Sequence, residues 1–126
     1  MIYLDTHVVM WLYGGLMDRL SDLAKSLIHK HELLISPMVR LELQYLYEIG
    51  RISEKPDVII SDLSDRINLK ICEKDFNSIV DRALEISWTR DPFDRLIVAN
   101  AWVDNNILLT RDTNILANYI HAKWES

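Results

Sequence analysis

Four acidic residues, Asp5, Glu42, Asp94 and Asp112, stand where carboxylates can do chemistry. Asp5 directly follows the apolar run Ile2-Tyr3-Leu4, and Asp112 follows Ile107-Leu108-Leu109 after Thr110 and Arg111. Glu42 lies within the helix announced by Ser36-Pro37, and Asp94 lies in the first turn of the helix opened by Asp91-Pro92. If the apolar runs are parallel strands, all four acids fall at strand carboxyl ends or at the helix starts beside them, where open parallel sheets bind ligands. Converging carboxylates repel and raise one another's pKa, so such a cluster persists when a cation neutralises it. Hard oxygen ligands select Mg2+ or Mn2+. A carboxylate-held ion of that kind can activate a water and stabilise a departing oxygen, the logic of phosphodiester hydrolysis. Zinc would want His or Cys, and His7, His29, His31 and His121 show no ligand spacing.

Each acid also has a structural reading. Asp5 and Asp112 fit helix N-caps, Glu42 fits a solvated helical position, and Asp94 fits a first-turn acid that favours the helix dipole. Asp91 precedes Pro92, which suits the first helical position, so Asp91 is read as the cap and Asp94 as the ligand. The combination and its order carry the chemical reading. Arg40, Arg90, Arg95 and Arg111 lie beside the four acids and are candidates for phosphate contacts or for ion pairs with their neighbours. Trp11, Trp88, Trp102 and Trp124 can stack on bases, but core or dimer packing is their expected use.

The elements that must position these residues alternate. Strands are expected at Ile2–Leu4, Leu33–Ile35, Leu69–Cys72 and Ile107–Leu109, with a small edge strand near Ala122–Trp124. Helices are expected over His7–Tyr13, stopped by Gly14-Gly15, over Asp22–Lys30 behind the cap Ser21, and from Ser36-Pro37 until Gly50. Others follow over Pro56–Ser64, through Phe76, Ile79, Val80 and Ala83, from Asp91-Pro92 through Ala101, and near Asn114–Tyr119. Strands separated by helices predict an α/β fold, a parallel sheet flanked by helices on both faces. An apolar groove between the early helices, near Val8, Leu12 and Leu43, is a candidate seat for an amphipathic partner helix, the alternative being that these residues fill the core.

With 126 residues the chain fits a single domain, 1–126, that holds a core without staples. Hydrophobic residues at 49% and charged residues at 26% exclude a disordered chain. The one cysteine, Cys72, forms neither an internal disulfide nor a multi-cysteine metal site, and a cytoplasmic location is expected. No signal peptide is read before the first strand, and no apolar run approaches a membrane span. The net charge of −5 argues weakly against a nucleic-acid partner, but four metal-held carboxylates would bring it to −1.

The runs Tyr3-Leu4-Asp5-Thr6-His7, Arg40-Leu41-Glu42-Leu43, Asp91-Pro92-Phe93-Asp94-Arg95-Leu96-Ile97-Val98-Ala99 and Leu109-Thr110-Arg111-Asp112 resemble the four acidic blocks of PIN domains. The third block looks like the form common in VapC-type toxins, and the resemblance spans Tyr3 to about Trp124. It implies a Mg2+ or Mn2+ site, endoribonuclease activity on RNA, and Asp5, Glu42, Asp94 and Asp112 as the metal-binding and catalytic acids. Thr6 and Thr110 match neighbouring polar positions that help to orient metal, water or phosphate. A homodimer and a cognate antitoxin that occludes the site are implied as well. Such toxins often carry a histidine two residues before the third block's first Asp; here that position is Thr89, followed by Arg90, so no substrate contact through that histidine is expected.

Three other readings compete. A haloacid-dehalogenase-like phosphatase needs a second acid two residues after Asp5, where His7 stands. A phosphate-accepting receiver domain needs a late lysine that Leu109-Thr110-Arg111-Asp112 does not supply. A non-catalytic, metal-stabilised binding module on the same fold is the serious rival, because a fold hosts many functions.

Overall fold

The computed structural model describes residues 1–125. Five short strands, β1 (Ile2–Leu4), β2 (Leu33–Ile35), β3 (Lys70–Ile71), β4 (Ile107–Leu109) and β5 (Ala122–Lys123), form one sheet in the order β3-β2-β1-β4-β5. Every pairing is parallel. The helices are α1 (Thr6–Gly14), α2 (Asp22–Lys30), α3 (Pro37–Glu48), α4 (Pro56–Ile67), α5 (Phe76–Leu84), α6 (Pro92–Trp102) and α7 (Thr113–Asn118). The central strands β1 and β2 are buried throughout, as unbroken apolar runs in a two-sided parallel sheet should be.

Strand order fixes where a site forms. The chain leaves β1 toward β2 and β3, then crosses back to β4 and β5. Right-handed crossovers on either side of β1 put helices on both faces of the sheet, and α3 and α6 meet each other. The direction of winding changes between β1 and β4, and the loops that follow these two strands part there and leave a crevice at their carboxyl ends. Asp5 and Asp112 sit on those two loops.

Local chemistry sets the helix boundaries. The Ser21 and Ser36 hydroxyls accept from the N–H groups of Ala24 at 3.0 Å and Met38 at 3.1 Å, and Pro37 occupies the first turn of α3. Gly15 closes α1 at φ 69, a left-handed backbone that a side chain disfavours.

Several details differ from the sequence expectation. Helix α4 runs on to Ile67, where Asn68 adopts the left-handed cap at φ 57. Strand β3 shrinks to Lys70–Ile71, because the Leu69 N–H bonds back to Leu63 O of α4. A 3-10 turn at Met17–Arg19, absent from the sequence reading, follows α1. Val8, Leu12 and Leu43 do not line a groove: Val8 and Leu43 are fully enclosed and Leu12 nearly so, because they point from α1 and α3 into the core. The groove beside them is lined instead by Met10, Tyr13 and Leu16 with Arg51 and Ile52, and holds about 510 Å3. Among the described residues no helix is long and apolar enough to cross a membrane.

Candidate active site

The register of the central strands builds the site. Leu4 pairs with Leu109, and the Asp5 N–H continues the ladder by donating to Leu109 O at 3.0 Å. One step further, Asp5 and Thr110 are side by side. The Thr110 hydroxyl donates to Asp5 Oδ2 at 2.6 Å and accepts from the Asp112 N–H at 3.0 Å. On the other side the Thr6 N–H donates to Asp5 Oδ1 at 2.8 Å, and the Thr6 hydroxyl donates to Glu42 Oε1. Two buried threonines thus link Asp5 to Glu42 on α3 and to the Asp112 loop after β4. Thr6 and Thr110 hold acids in place here.

Two of the four acids, Asp5 and Asp112, are also helix caps. Asp5 caps α1 through Thr6 N, and Asp112 caps α7 by accepting from Asn114 N at 2.8 Å and Ile115 N at 2.9 Å. Asp94 is in the first turn of α6, where an acid favours the helix dipole. Asp91 is the N-cap of α6, accepting from Phe93 N at 2.8 Å and Asp94 N at 3.4 Å, as the Asp-Pro order predicts. Thr89 supports it by accepting from the Asp91 N–H at 3.2 Å.

The acids act on each other electrostatically. Burial pushes the Asp5 carboxyl up from its ordinary value, against the Thr110 and Thr6 hydrogen bonds that favour its charge. Burial likewise pushes Glu42 up, with the Thr6 bond opposing and the Asp5 charge adding. Asp94 is raised to about 7, first by burial and then by the charges of Asp91, Asp5, Asp112 and Glu42. All four acids, and Asp91 with them, therefore share one electrostatic neighbourhood. None of them is in the ion pairs of the described residues.

Hydroxyls and helix N–H groups hold the carboxyls at present, and among the described residues no three His, Cys, Asp or Glu side chains are close enough to hold one ion as placed. The donor chemistry nevertheless fits a hard divalent cation: several carboxyls, mutually repelling, without an arginine or lysine partner.

The arginines divide. Arg40 turns to Asp57 at 3.8 Å, and Arg95 donates to Ala83 O at 3.0 Å. Arg111 lies over the Trp11 ring at 5.9 Å and stays exposed beside Asp112, as Arg90 does beside Asp91. Trp11 and Trp124 pack together in the core, with ring centroids 5.7 Å apart. Cys72 is buried, accepting from the Tyr3 hydroxyl at 3.2 Å. The sequence reading set His7 aside as a lone histidine, but it is a further neighbour of Asp5 and Glu42. Its place in the first turn after Asp5 was the available signal.

The PIN domain family model matches residues 2–120. Over 99% of this chain and 100% of the other, the fold is similar to a chain of VapBC2 from Rickettsia felis bound to a DNA fragment from their promoter, at 21% identity and a TM-score of 0.69. It is also similar to a chain of a toxin-antitoxin complex from Klebsiella pneumoniae, at 17% identity and a TM-score of 0.63, covering 98% and 96% of the two chains. At these identities the likeness concerns the fold. No curated protein matches significantly.

Proposed function

The chain belongs to the PIN-domain family, and from that premise we propose that it is a metal-dependent endoribonuclease, the toxin of a toxin–antitoxin pair. The reading is supported by the lie of Asp5, Glu42, Asp94 and Asp112 near the winding reversal of the sheet, none of them in an ion pair with an arginine or lysine among the described residues. These four would hold Mg2+ or Mn2+, and the chemistry such an ion supplies is activation of a water and neutralisation of charge on the phosphate. The protein's own part is positioning. Thr6 and Thr110 fix the rotamers of Asp5 and Glu42, the start of α7 fixes Asp112, and the first turn of α6 carries Asp94. The exposed Arg90 and Arg111 are available to phosphate oxygens.

The toxin role draws on the likeness to chains of toxin–antitoxin complexes. The groove lined by Met10, Tyr13, Leu16 and Ile52 is apolar and flanked by Arg19 and Arg51, which suits an amphipathic antitoxin helix with acidic edges. A homodimer is part of the same proposal; the exposed Tyr45 in the last turn of α3 and Ile49 at its C-cap offer a second copy an apolar contact.

The test is cleavage of single-stranded or structured RNA with Mg2+ or Mn2+. Activity that weakens with salt and is abolished by Asp5→Asn is expected. Efficient cutting of duplex DNA without RNA cutting overturns the substrate class. Cation-dependent stabilisation with no cleavage of either would leave the binding-module reading in its place. Co-expression with the neighbouring open reading frame tests the pairing: its product should bind and reduce cleavage.

A further inference from the structure

Beside the acids, two basic side chains share one aromatic neighbour. His7 and Trp11 stand four residues apart on α1, hence on one face of that helix, with ring centroids 6.1 Å apart. The Arg111 guanidinium lies 5.9 Å from the centre of the same Trp11 ring. Trp11 itself is buried and packs on Trp124 at 5.7 Å, so the ring is a fixed pedestal. His7 and Arg111, by contrast, are both exposed. They come from the segments that follow β1 and β4, paired strands whose loops part at the winding reversal.

Both groups keep their donors for a ligand. Neither is in an ion pair among the described residues, although acids stand beside each. Those acids are held by other partners: Asp5 by Thr6 and Thr110, Glu42 by Thr6, and Asp112 by the first turn of α7. A ring contact engages the charge of a guanidinium and leaves its N–H donors. An imidazole has an N–H donor whether neutral or charged. The arginines on α3 and α6, Arg40 and Arg95, are engaged with Asp57 and Ala83 O instead. The ligand that matches two exposed donors from separate segments is an extended chain of oxyanions, which a polynucleotide backbone is. A protein of net charge −5 that seats such a polyanion beside four carboxyls needs cations on the approach.

Resting on the nuclease reading, we propose that His7 and Arg111, set around the Trp11 ring, are positioning residues that hold the RNA backbone phosphates on the α1 side of the acidic site. The experiment uses the full chain in two assays. One is equilibrium binding of a labelled single-stranded RNA oligonucleotide in EDTA over a range of KCl. The other is steady-state cleavage of the same RNA with Mg2+. His7→Gln and Arg111→Gln should each weaken binding about tenfold and raise KM while kcat stays. Arg111→Gln should also lower the slope of log affinity against log salt by about 0.7, and Arg111→Lys, which keeps the charge, should keep the slope. Lys30→Gln removes the same charge at the end of α2 that leads into β2, at the opposite end of the strands, and should change none of these.

Wild-type behaviour of both Gln variants, or a wild type that neither binds nor cleaves RNA, overturns the proposal. So does an equal loss in Lys30→Gln, which would make the effect one of net charge alone. If His7→Gln lowers kcat at unchanged KM, or alters the Mg2+-dependent melting shift, His7 serves the acids and the proposal fails. RNA cleavage with a KM indifferent to both Gln substitutions removes the contact but leaves the nuclease reading standing. RNA binding that needs His7 and Arg111 in a chain that cuts no RNA does the reverse.

Discussion

At the scale of single residues, Thr110 has two bonds to make. Thr110→Val keeps the shape but strips Asp5 Oδ2 of its donor and the Asp112 N–H of its acceptor. A loss of about 1–3 kcal/mol in urea unfolding is expected, together with a further rise of the Asp5 pKa readable by NMR. Asp94 gives a pH prediction. Its folded pKa of about 7 lies above the ordinary 3.8, so between those values the native state binds more protons than the unfolded chain. This contribution to stability is present at acid pH and is lost as pH rises from about 4 through about 7. The metal-free melting temperature of Asp94→Asn should accordingly lack that decline and exceed the wild type's at pH 8; an unchanged pH profile would contradict the assignment. The acids themselves were legible in the sequence, because each falls beside a strand end or a helix start. The threonine links were legible only as neighbouring polar positions, since Thr110 meets Asp5 through a strand register that joins residues 105 apart.

Among the elements, α6 shows how a cap and a site share one turn. Asp91→Asn should be nearly neutral, because Asn caps as well as Asp, whereas Asp91→Ala should cost ~0.5–2 kcal/mol in thermal or urea unfolding. Neither change should remove stabilisation by a divalent cation; Asp94→Asn should remove it and keep the fold. The Asp-Pro order made the Asp91 cap readable in advance, as Ser36-Pro37 did for the cap of α3 and Ser21 for that of α2. The ends of α4 and β3 were not readable. They depend on a local cap in which Asn68 turns left-handed and the Leu69 N–H returns to Leu63 O, drawing Leu69 out of the strand. The groove was misplaced for a different reason: Val8, Leu12 and Leu43 are apolar on helix faces that turn inward, and a single helix's periodicity does not say which of its apolar residues meets the sheet.

For the whole molecule, the unpaired acids leave the native state short of positive charge where the sheet winding reverses. Mg2+ or Mn2+ should raise the thermal midpoint, by the equivalent of about 2.7 kcal/mol at a hundredfold excess over Kd, and Asp5→Asn should blunt the rise. A midpoint indifferent to divalent ion would argue that the acids serve as caps alone. The strand order has one more consequence, in time rather than space. β4 enters the sheet between β1 and β5, though it is made more than 100 residues after β1. Until Thr110 and Asp112 have emerged during synthesis, Asp5 has neither beside it, because domains complete their packing only as their segments become available. On the proposed nuclease reading, the acidic site would thus stay incomplete while the message is still being read.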